Sequence, residues 1–194
     1  MELLEMMMRR RSIRKYQSTK VEREKLNKIQ TAGLYAPNPG GRQGARIIML
    51  DDAALIDRIG VVNADCENRN WDRGVSAEQP SIIDDRTIRS GFYSCPALGI
   101  VFVPEAACRT VNGIGSAFVC AENMVLEAYE LGVASCIVGR AEATFIHPKM
   151  RTLIRQWGLE GYEPVVFICL GYVDGPYPEV KPREPGRALF AGGA

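Results

Sequence analysis

The residues best suited to chemistry lie close together near the start of the chain. Residues 9–16, RRRSIRKY, place four arginines, one lysine and one serine within eight positions. Each guanidinium presents a planar fork of hydrogen-bond donors, and a serine hydroxyl can approach an anion closely. This composition favours a receptor for a dianionic phosphate. The alternative, that the run faces solvent or contacts nucleic acid loosely, is the more common use of clustered charge.

A second group of candidate residues forms a turn before the first predicted strand. Residues 36–43, APNPGGRQ, combine rigid prolines with permissive glycines, so the backbone is exposed there. Asn38 and Gln43 add amide groups that suit the polar edge of a flat heterocycle. Further along, Lys181 and Arg183 are chemically matched to the basic run. A phosphate receptor at one end and a ring receptor at the other describe the site of a nucleotide-like cofactor.

The elements that position these groups follow from the spacing of apolar residues. Helices are predicted over residues 2–10, 20–36, 53–64, 116–131 and 147–157, with a short one within 82–93, and strands over 46–50, 97–103, 133–138 and 163–172. We expect Ser18 or Thr19 to cap the second helix and Pro37 to stop it. The mixture of elements predicts one α+β domain over residues 1–194.

Three segments carry a further expectation. The helix over 116–131 is apolar almost all round, which requires either a central position or cover from a partner subunit. The tail over 173–194 is rich in proline and cannot form a core of its own, so it is either disordered or laid on another surface. The polar stretch over 63–80 predicts a surface loop or lid.

The bulk composition narrows the range of partners. Apolar residues make up 46% of the 194 positions and charged residues 24%, an ordinary globular balance. The net charge of +1 provides no global field that recruits nucleic acid. No run of about 20 apolar residues can span a membrane, and Glu2 and Glu5 interrupt the only N-terminal segment that resembles a secretory signal. We therefore expect a cytoplasmic protein without nucleic-acid or membrane partners.

Metal chemistry and hydrolysis have little support in the sequence. The six cysteines are scattered without a C-x-x-C pair, which favours buried free thiols over disulfides or metal ligands. The single histidine, His147, is expected at the surface or in a capping role rather than as an acid or base. Gly113-Ile114-Gly115 matches a dinucleotide-binding turn only in part, because Phe118 occupies the third glycine position. The sequence contains no phosphate loop, nucleophile elbow or H-E-x-x-H motif.

Taken in order, five blocks of the chain resemble those of the flavin-dependent nitroreductase family. Near the start, RRSIRKY (10–16) resembles R-R-S-x-R-x-[FY], and APNPGGRQ (36–43) resembles the turn A-P-S-x-x-N-x-Q-P. In the second half, AENMVLEA (121–128) is similar to A-x-N-[ML]-x-L-x-A, and GVASCIVG (132–139) matches G-[LV]-[GA]-[ST]-x-x-[IV]-G. Gly171-Tyr172 with the later Lys181-x-Arg183 matches the family's end. These blocks span nearly the whole chain.

The resemblance implies an α+β fold with a central mixed or antiparallel sheet flanked by helices, a domain-exchanged homodimer, and FMN bound between the subunits. It implies that the FMN phosphate and ribityl chain contact Arg10, Arg11, Ser12, Lys181 and Arg183. The isoalloxazine ring would lie by Arg14 at its pyrimidine edge, by the backbone of Val138 and Gly139 at N5, and by Pro37, Asn38, Pro39 and Gln43 of the other copy.

The resemblance also implies a ping-pong reaction in which NADH or NADPH gives hydride to flavin N5 and an oxidised acceptor, such as a nitroaromatic or quinone, then takes electrons. Such a cycle needs positioning and charge stabilisation, so we predict no dedicated catalytic side chain. A flavin-storage protein, another flavin chemistry on the same scaffold and a nucleic-acid-binding domain remain alternatives. Two departures, Gly41 for the usual Asn and Gly44-Ala45 for a Pro-aromatic pair, are expected to widen the pocket or remove a flavin contact.

Overall fold

The computed structural model describes residues 2–66 and 90–192. The helices are α1 (Leu3–Arg9), α2 (Arg23–Leu34), α3 (Ala53–Asp65), α4 (Val111–Glu130), α5 (Ala141–Ile146) and α6 (Pro148–Gln156). The strands are β1 (Arg46–Leu50), β2 (Ala97–Pro104), β3 (Ala134–Val138) and β4 (Tyr162–Gly171). Short 3-10 turns over Pro39–Gly41 and Glu105–Ala107 precede β1 and α4.

The four strands form one sheet in the order β1-β2-β4-β3, and every neighbouring pair is antiparallel. Ile100 of β2 pairs with Ile48 of β1 on one side and with Phe167 of β4 on the other. The central strands β2 and β4 are almost wholly buried, because helices cover both faces of the sheet. The α+β prediction is confirmed, and the sheet is antiparallel throughout the described residues rather than mixed.

Each face of the sheet carries its own core. On one face, α3, α5 and α6 pack against the sheet, and Phe145 of α5 lies with its ring 6.0 Å from that of Phe102. On the other face, α2 and α4 contribute Ile29 and Met124, which have no exposed surface. We call these the α3 face and the α4 face.

α2 and α4 approach closely because a glycine lies where they meet. A Cβ at Gly33 would lie 2.6 Å from Ile47 Cδ1 and 2.8 Å from Met124 Cγ, so a larger residue cannot fit without movement. Asn123 Nδ2 donates a hydrogen bond to the Ala32 carbonyl at 3.1 Å, which ties the two helices together. The block 121–128 therefore holds α4 against the segment that leads into β1.

Of the two expectations for α4, a central position or cover from a partner subunit, the single chain excludes the central position. Ala117, Ala121 and Met124 have no exposed surface, so one face of α4 is fully covered. The other face leaves large apolar side chains exposed, namely Val111, Ile114, Phe118 and Val119. α1 has no buried residue, and its Leu3, Leu4, Met7 and Met8 are exposed as well. Both helices thus present apolar surface outward.

Several predicted boundaries are also wrong. α2 begins at Arg23 after Glu22, so neither Ser18 nor Thr19 caps it. α4 begins at Val111 instead of residue 116, because the Thr110 hydroxyl accepts the N–H of Gly113 at 3.0 Å and caps the helix there. Gly113 to Gly115 consequently lies inside the first turns of α4 and not in a dinucleotide-binding turn. The six residues of α5 were missed because they are too few to show a helical period.

His147 caps a helix, which was one of the two expectations for it, a capping role or a surface position. Its Nδ1 accepts the N–H of Lys149 at 3.2 Å at the start of α6. The expectation of a surface position is wrong, because His147 is only 4% exposed. Burial lowers the pKa of its imidazole, which favours the neutral ring that can accept this bond.

All six cysteines are free, and five of them are buried. The described residues contain no group of three or more side chains arranged to hold a metal ion. Across residues 2–66 and 90–192, no helix combines the length and apolar character needed to cross a bilayer. Two predictions fall largely outside the described residues. The loop predicted over 63–80 lies outside them from residue 67 onward. The short helix predicted within 82–93 lies outside them up to residue 89.

Candidate functional site

The basic run crosses the end of the sheet beside β3. The Ile13 N–H donates to the Ser135 carbonyl at 2.9 Å, and the Gln17 N–H donates to the Tyr172 carbonyl at 2.8 Å. These acceptors are neighbours, because the start of β3 pairs with the end of β4. The Tyr16 hydroxyl donates to the Ile13 carbonyl at 2.7 Å and closes the turn between them. The backbone of the run is therefore fixed to the sheet.

Arg10 is the cation best placed to bind an anion. It follows α1 directly, and its side chain is 23% exposed. Its Nε is buried, and no described residue accepts a hydrogen bond from it. Glu122 of α4 is a loose partner, since its Oε2 lies 3.9 Å from a terminal nitrogen of Arg10. A buried guanidinium donor without an acceptor is costly, so this atom fits an anionic ligand that comes from outside the chain.

Arg11 and Ser12 continue the same edge of the sheet. The Arg11 N–H donates to the Tyr177 hydroxyl at 2.9 Å, which brings the tail against the basic run. Ser12 forms a parallel bridge with Ser135 at the start of β3. Arg10, Arg11 and Ser12 thus offer guanidinium and hydroxyl donors from three consecutive positions beside β3. This donor set suits a phosphate.

Arg14 is held against an aromatic ring. Its guanidinium carbon lies 5.9 Å from the centroid of the Tyr93 ring. A side-chain hydrogen bond to Tyr93 raises the pKa of Arg14 above its ordinary value. Nearby, burial raises the pKa of the Cys136 thiol, so this neighbour stays neutral beside the Arg14 guanidinium. Arg14 is therefore a permanent cation with a defined position.

The end of β3 forms a turn that is bonded to the α3 face. The Gly139 carbonyl accepts a hydrogen bond from Asn63 Nδ2 at 3.1 Å. The next residue, Arg140, has a left-handed backbone with a φ of 66°, and its carbonyl accepts from the Thr144 hydroxyl at 2.7 Å. Val138 and Gly139, the two backbone positions predicted for the site, consequently lie on the same edge as the basic run.

The turn over 36–43 lies at the opposite edge of the sheet, immediately before β1. The Asn38 side-chain oxygen accepts the N–H of Gln43 at 2.8 Å and closes the turn. Gly40 and Gly41 both have a φ of 63°, a conformation that glycine adopts without strain. The turn chemistry predicted from the two glycines is therefore present.

A cavity of about 390 Å³ opens beside this turn. Asn38, Pro39 and Arg42 form one side of it, and Gly44 and Ala45 line it next to them. The far wall comes from the end of β2, the turn that follows it and the first residues of α4. A neighbouring cavity of about 360 Å³ also includes Gln43. Pro37 is exposed at the entrance of the turn. Gly44 and Ala45, two of the three small residues that depart from the family pattern, thus lie in a cavity wall.

Left-handed backbone concentrates in these segments. Within the described ranges, the non-glycine residues with positive φ are Gln43, Tyr93, Ser94 and Arg140. Gln43 closes the turn before β1, Tyr93 contacts Arg14, and Arg140 follows Gly139. Backbone strain persists where the surroundings impose it, and it clusters at functional sites. This distribution supports both edges of the sheet as parts of a site.

The tail brings its cations near the basic run without joining them to it. Val180 lines a shallow depression together with Leu4 and Met8 of α1. Lys181 and Arg183 are exposed, and the bond recorded between them runs from the Arg183 guanidinium to the Lys181 carbonyl at 3.5 Å. Neither cation forms a described bond with Arg10, Arg11 or Ser12.

The predicted site is therefore divided between two edges. Arg10, Arg11, Ser12, Arg14, Val138 and Gly139 lie at β3, whereas Pro37, Asn38, Pro39 and Gln43 lie at β1. Strands β2 and β4 separate them, which amounts to three strand spacings or about 14 Å. One chain does not bring the two groups together.

Sequence reasoning missed three residues that support the site: Asn63, Tyr93 and Tyr177. Asn63 gave a signal that could have been used, because it continues the apolar stripe of α3 formed by Ile56 and Ile59. A polar residue in such a stripe needs a buried partner. Tyr93 and Tyr177 gave none, since their contacts join segments that are far apart in sequence.

Comparison with known proteins gives a consistent result. A model of the Nitroreductase family matches residues 7–172. A nitroreductase with bound FMN from Bacteroides fragilis has a TM-score of 0.80 at 23% identity, over 99% of this chain and 100% of that one. A second, from Desulfitobacterium hafniense with bound FMN, has a TM-score of 0.79 at 20% identity over the same shares, 99% and 100%. A proposed NADH oxidase from Clostridium acetobutylicum has a TM-score of 0.68 at 21% identity, over 95% and 97%. At such identities these structures show the shared fold. Among curated proteins, none matches the sequence.

Proposed function

The chain belongs to the nitroreductase family, and from that membership we propose that it is an FMN-dependent oxidoreductase acting as a homodimer. Its reductant is NADH or NADPH, and its second substrate is a small oxidised acceptor such as a nitroaromatic or a quinone. The observation that carries the proposal is the buried Nε of Arg10, which has no acceptor among the described residues and lies next to Arg11 and Ser12.

We assign the FMN phosphate to the β3 edge. Arg10 would donate from Nε, and Arg11 and Ser12 would add guanidinium and hydroxyl donors from the same extended backbone. The backbone is already fixed there by the bond from Ile13 to Ser135. Lys181 and Arg183 would complete the phosphate site from the tail, which reaches this edge through the Tyr177 contact with Arg11.

The homodimer follows from the division of the site. Pro37, Asn38, Pro39 and Gln43 can reach a cofactor at the β3 edge only if another copy of the chain supplies them. The exposed apolar side chains of α4 and α1 provide the kind of surface that homodimers bury. The start of the tail stays with its own chain, where Tyr177 contacts Arg11. Its end would pack on the other copy, since Leu189 and Phe190 are almost fully exposed in the single chain. Residues 1–194 then form one FMN-binding domain per subunit.

Bound FMN would supply hydride transfer through its N5 atom. The chain's own residues bind and orient it. Arg14, fixed against Tyr93, would place a positive charge at the pyrimidine edge, where a reduced flavin carries its negative charge. The backbone at Val138 and Gly139 would lie at N5. No side chain is required to exchange protons, in keeping with a single histidine that caps a helix.

The acceptor would enter through the cavity beside the β1 edge. Its volume of about 390 Å³ is within the range of small-molecule sites. Gly44 and Ala45 leave this wall open, and Asn38 and Arg42 provide the polar groups next to it. A planar aromatic acceptor with a polar substituent fits this combination of space and donors.

An absorbance experiment tests the proposal. Purified protein is saturated with FMN, its visible spectrum is recorded without oxygen, and NADH or NADPH is added before a nitroaromatic or a quinone. We expect one FMN per chain, loss of the oxidised flavin bands on reduction, and their recovery with the acceptor. Bound flavin that no nicotinamide reduces would instead support storage. A monomer that binds no FMN but retards nucleic acid at physiological salt would support the nucleic-acid alternative.

A further inference from the structure

We propose that Asn63 and Thr144 are positioning residues that hold the turn over residues 138–140 in the orientation needed beside flavin N5. The proposal rests on the function proposed above, because it assigns a role toward the same bound FMN. Neither residue would touch the flavin. They would act through the backbone of Gly139 and Arg140, which we call the β3 turn.

The interior side of the β3 turn is bonded to a buried amide. Asn63 has no exposed surface and lies in α3 among aliphatic side chains. Its Nδ2 donates to the Gly139 carbonyl at 3.1 Å and to the Thr144 hydroxyl at 3.0 Å. Reversing the amide would place Oδ1 against the Gly139 carbonyl, two acceptors in contact, so the orientation of Asn63 follows from its partners.

Thr144 extends this bonding to the next carbonyl. It also has no exposed surface, and its hydroxyl accepts from Asn63 while it donates to the Arg140 carbonyl at 2.7 Å. Two successive carbonyls of the β3 turn are thus directed toward the α3 face. In a trans peptide the N–H points away from the C=O, so the inward carbonyl of Gly139 turns the Arg140 N–H toward the outer edge of β3.

This arrangement is not the most stable choice for a core position. Asn63 Oδ1 is buried and has no partner among the described residues, and a Cβ at Gly91 would lie only 2.6 Å from it. A half-satisfied buried amide is costly, whereas a leucine of similar size would fill the position without polar groups to satisfy. Arg140 adds a left-handed backbone that a non-glycine residue adopts only under constraint. Where several local rules are broken together, a functional demand is the physical explanation.

The role predicts a specific effect on the flavin. N5 of oxidised FMN accepts hydrogen bonds, whereas N5 of reduced FMN carries a hydrogen. A backbone N–H held at N5 therefore stabilises the oxidised form more than the reduced one. Releasing the β3 turn should weaken binding of oxidised FMN by about tenfold and leave reduced FMN less affected. For a two-electron couple, a tenfold difference corresponds to a midpoint potential raised by about 30 mV.

The test uses four variants, of which two substitute the same residue, Thr144. Thr144→Val removes the hydroxyl and keeps the shape, whereas Thr144→Ser keeps the hydroxyl. Asn63→Leu removes the amide, and Val62→Ala creates a fully buried defect on the neighbouring position of α3 as a control. The readouts are the dissociation constants of oxidised and reduced FMN, the midpoint potential, and amide hydrogen exchange of residues 138–141 in the protein without flavin.

We expect Thr144→Val and Asn63→Leu to raise the potential and to speed exchange in the β3 turn, Thr144→Ser to behave as the wild type, and Val62→Ala to lower stability without moving the potential. An unchanged potential and exchange in Thr144→Val would overturn the inference, and so would an equal shift in Val62→Ala. If Asn63→Leu does not fold, the Val and Ser pair at Thr144 decides. A wild type that binds no FMN refutes the proposed function instead, and the exchange measurement then still shows whether the two residues hold the turn.

Discussion

The two edges of the sheet carry different kinds of binding surface. At β3, the residues are bonded to the core from behind: Ile13 to Ser135, and Gly139 to Asn63. At β1, the turn that contains Asn38 is closed on itself, and beside it lies a cavity of about 390 Å³ with small residues in its wall. Fixed donors suit a part of the ligand that never changes, and open space suits a part that varies. The comparison suggests that β3 binds the cofactor and β1 selects the acceptor.

The largest effect should come from preventing the two edges from meeting. Phe118 lies on the outward face of α4 and is 44% exposed. Phe118→Glu would bury an unpaired charge in the homodimer, so we expect the dimer dissociation constant to rise by about 100-fold or more. Sedimentation velocity measures this change, and FMN affinity should fall with it. Thr152→Glu, at an exposed position of α6, is the matched control. A variant that stays dimeric would show that Phe118 lies outside the interface, and a monomer that keeps wild-type FMN affinity would show that β3 needs no second edge.

The next prediction compares two cations near the β3 edge, Arg10 with its buried Nε and Arg9, which is exposed and paired. Arg10→Met removes the buried Nε, and we expect FMN to bind about 50-fold more weakly, as for the loss of a charge-assisted hydrogen bond to phosphate. Arg9→Met is the control, because Arg9 is exposed and pairs with Glu5 at 2.9 Å. It should change affinity by less than about twofold. Flavin fluorescence titration measures both. Equal losses would mean that general charge, and not the placement of Arg10, attracts the cofactor.

A third prediction concerns the β1 edge and sharpens the contrast with β3. Ala45→Phe would fill part of the cavity wall, so kcat/KM for a bulky nitroaromatic should fall by about tenfold while a small quinone is affected little. FMN affinity should stay close to the wild-type value. Ala54→Phe, at an exposed position of α3, controls for the added ring. If both acceptors decline together with FMN binding, the cavity belongs to the cofactor site instead.

Arg14 should tune the flavin from the β3 edge by a smaller amount. Arg14→Ala removes a cation near the pyrimidine edge, so the reduced, negatively charged flavin should lose more than the oxidised one. Because Arg14 is exposed, we expect about a fivefold effect, or a midpoint potential lowered by about 20 mV. Dye equilibration measures the potential. Arg14→Lys keeps the positive charge, so the potential should fall by less than half as much as in Arg14→Ala. An unchanged potential in the alanine variant would exclude this role.

The smallest expected effect is a pH dependence of the free energy of unfolding, caused by His147 between α5 and α6. Burial lowers the pKa of His147 below its usual value of 6.5, so the unfolded chain binds the proton first as the pH falls. His147 should therefore contribute its full share of the free energy of unfolding above about pH 6.5 and lose it progressively at lower pH, by less than about 1 kcal/mol. Urea unfolding at pH 7.5 and 5.5 measures this loss. His147→Asn keeps an acceptor for the cap without the titration, and an identical pH slope in the two proteins would contradict the assignment.

Local patterns predicted most elements but not their arrangement. Each of the four strands was placed to within about one residue at either end, because apolar runs bounded by turns are visible in sequence. The strand order was not predictable, since β2 pairs with β4 and the two are distant in the chain. The separation of Asn38 from Arg10 follows from that order alone. Family resemblance supplied the assignment of these residues to two subunits, which neither spacing nor charge could give.

The candidate site shows the same limit at the level of side chains. The basic run was recognisable because its chemistry is contained in eight consecutive residues. The burial of Arg10 Nε was not, because it depends on packing between segments distant in sequence, such as α4, whose Glu122 lies 3.9 Å from the Arg10 guanidinium. Asn63 was assigned to the start of the polar stretch over 63–80, because its partner, Gly139, is distant in sequence.

The order of the strands also constrains how the chain can assemble. The central pair, β2 and β4, is separated by residues 105–161, a segment of 57 positions that must be brought together before the sheet exists. β3 adds only to β4, and the basic run in turn rests on β3. A newly synthesised chain therefore lacks the proposed flavin-binding surface until β2 and β4, the most widely separated pair of neighbouring strands, have met. Acquisition of the cofactor should be among the last events of folding, after α4 has already formed from local contacts.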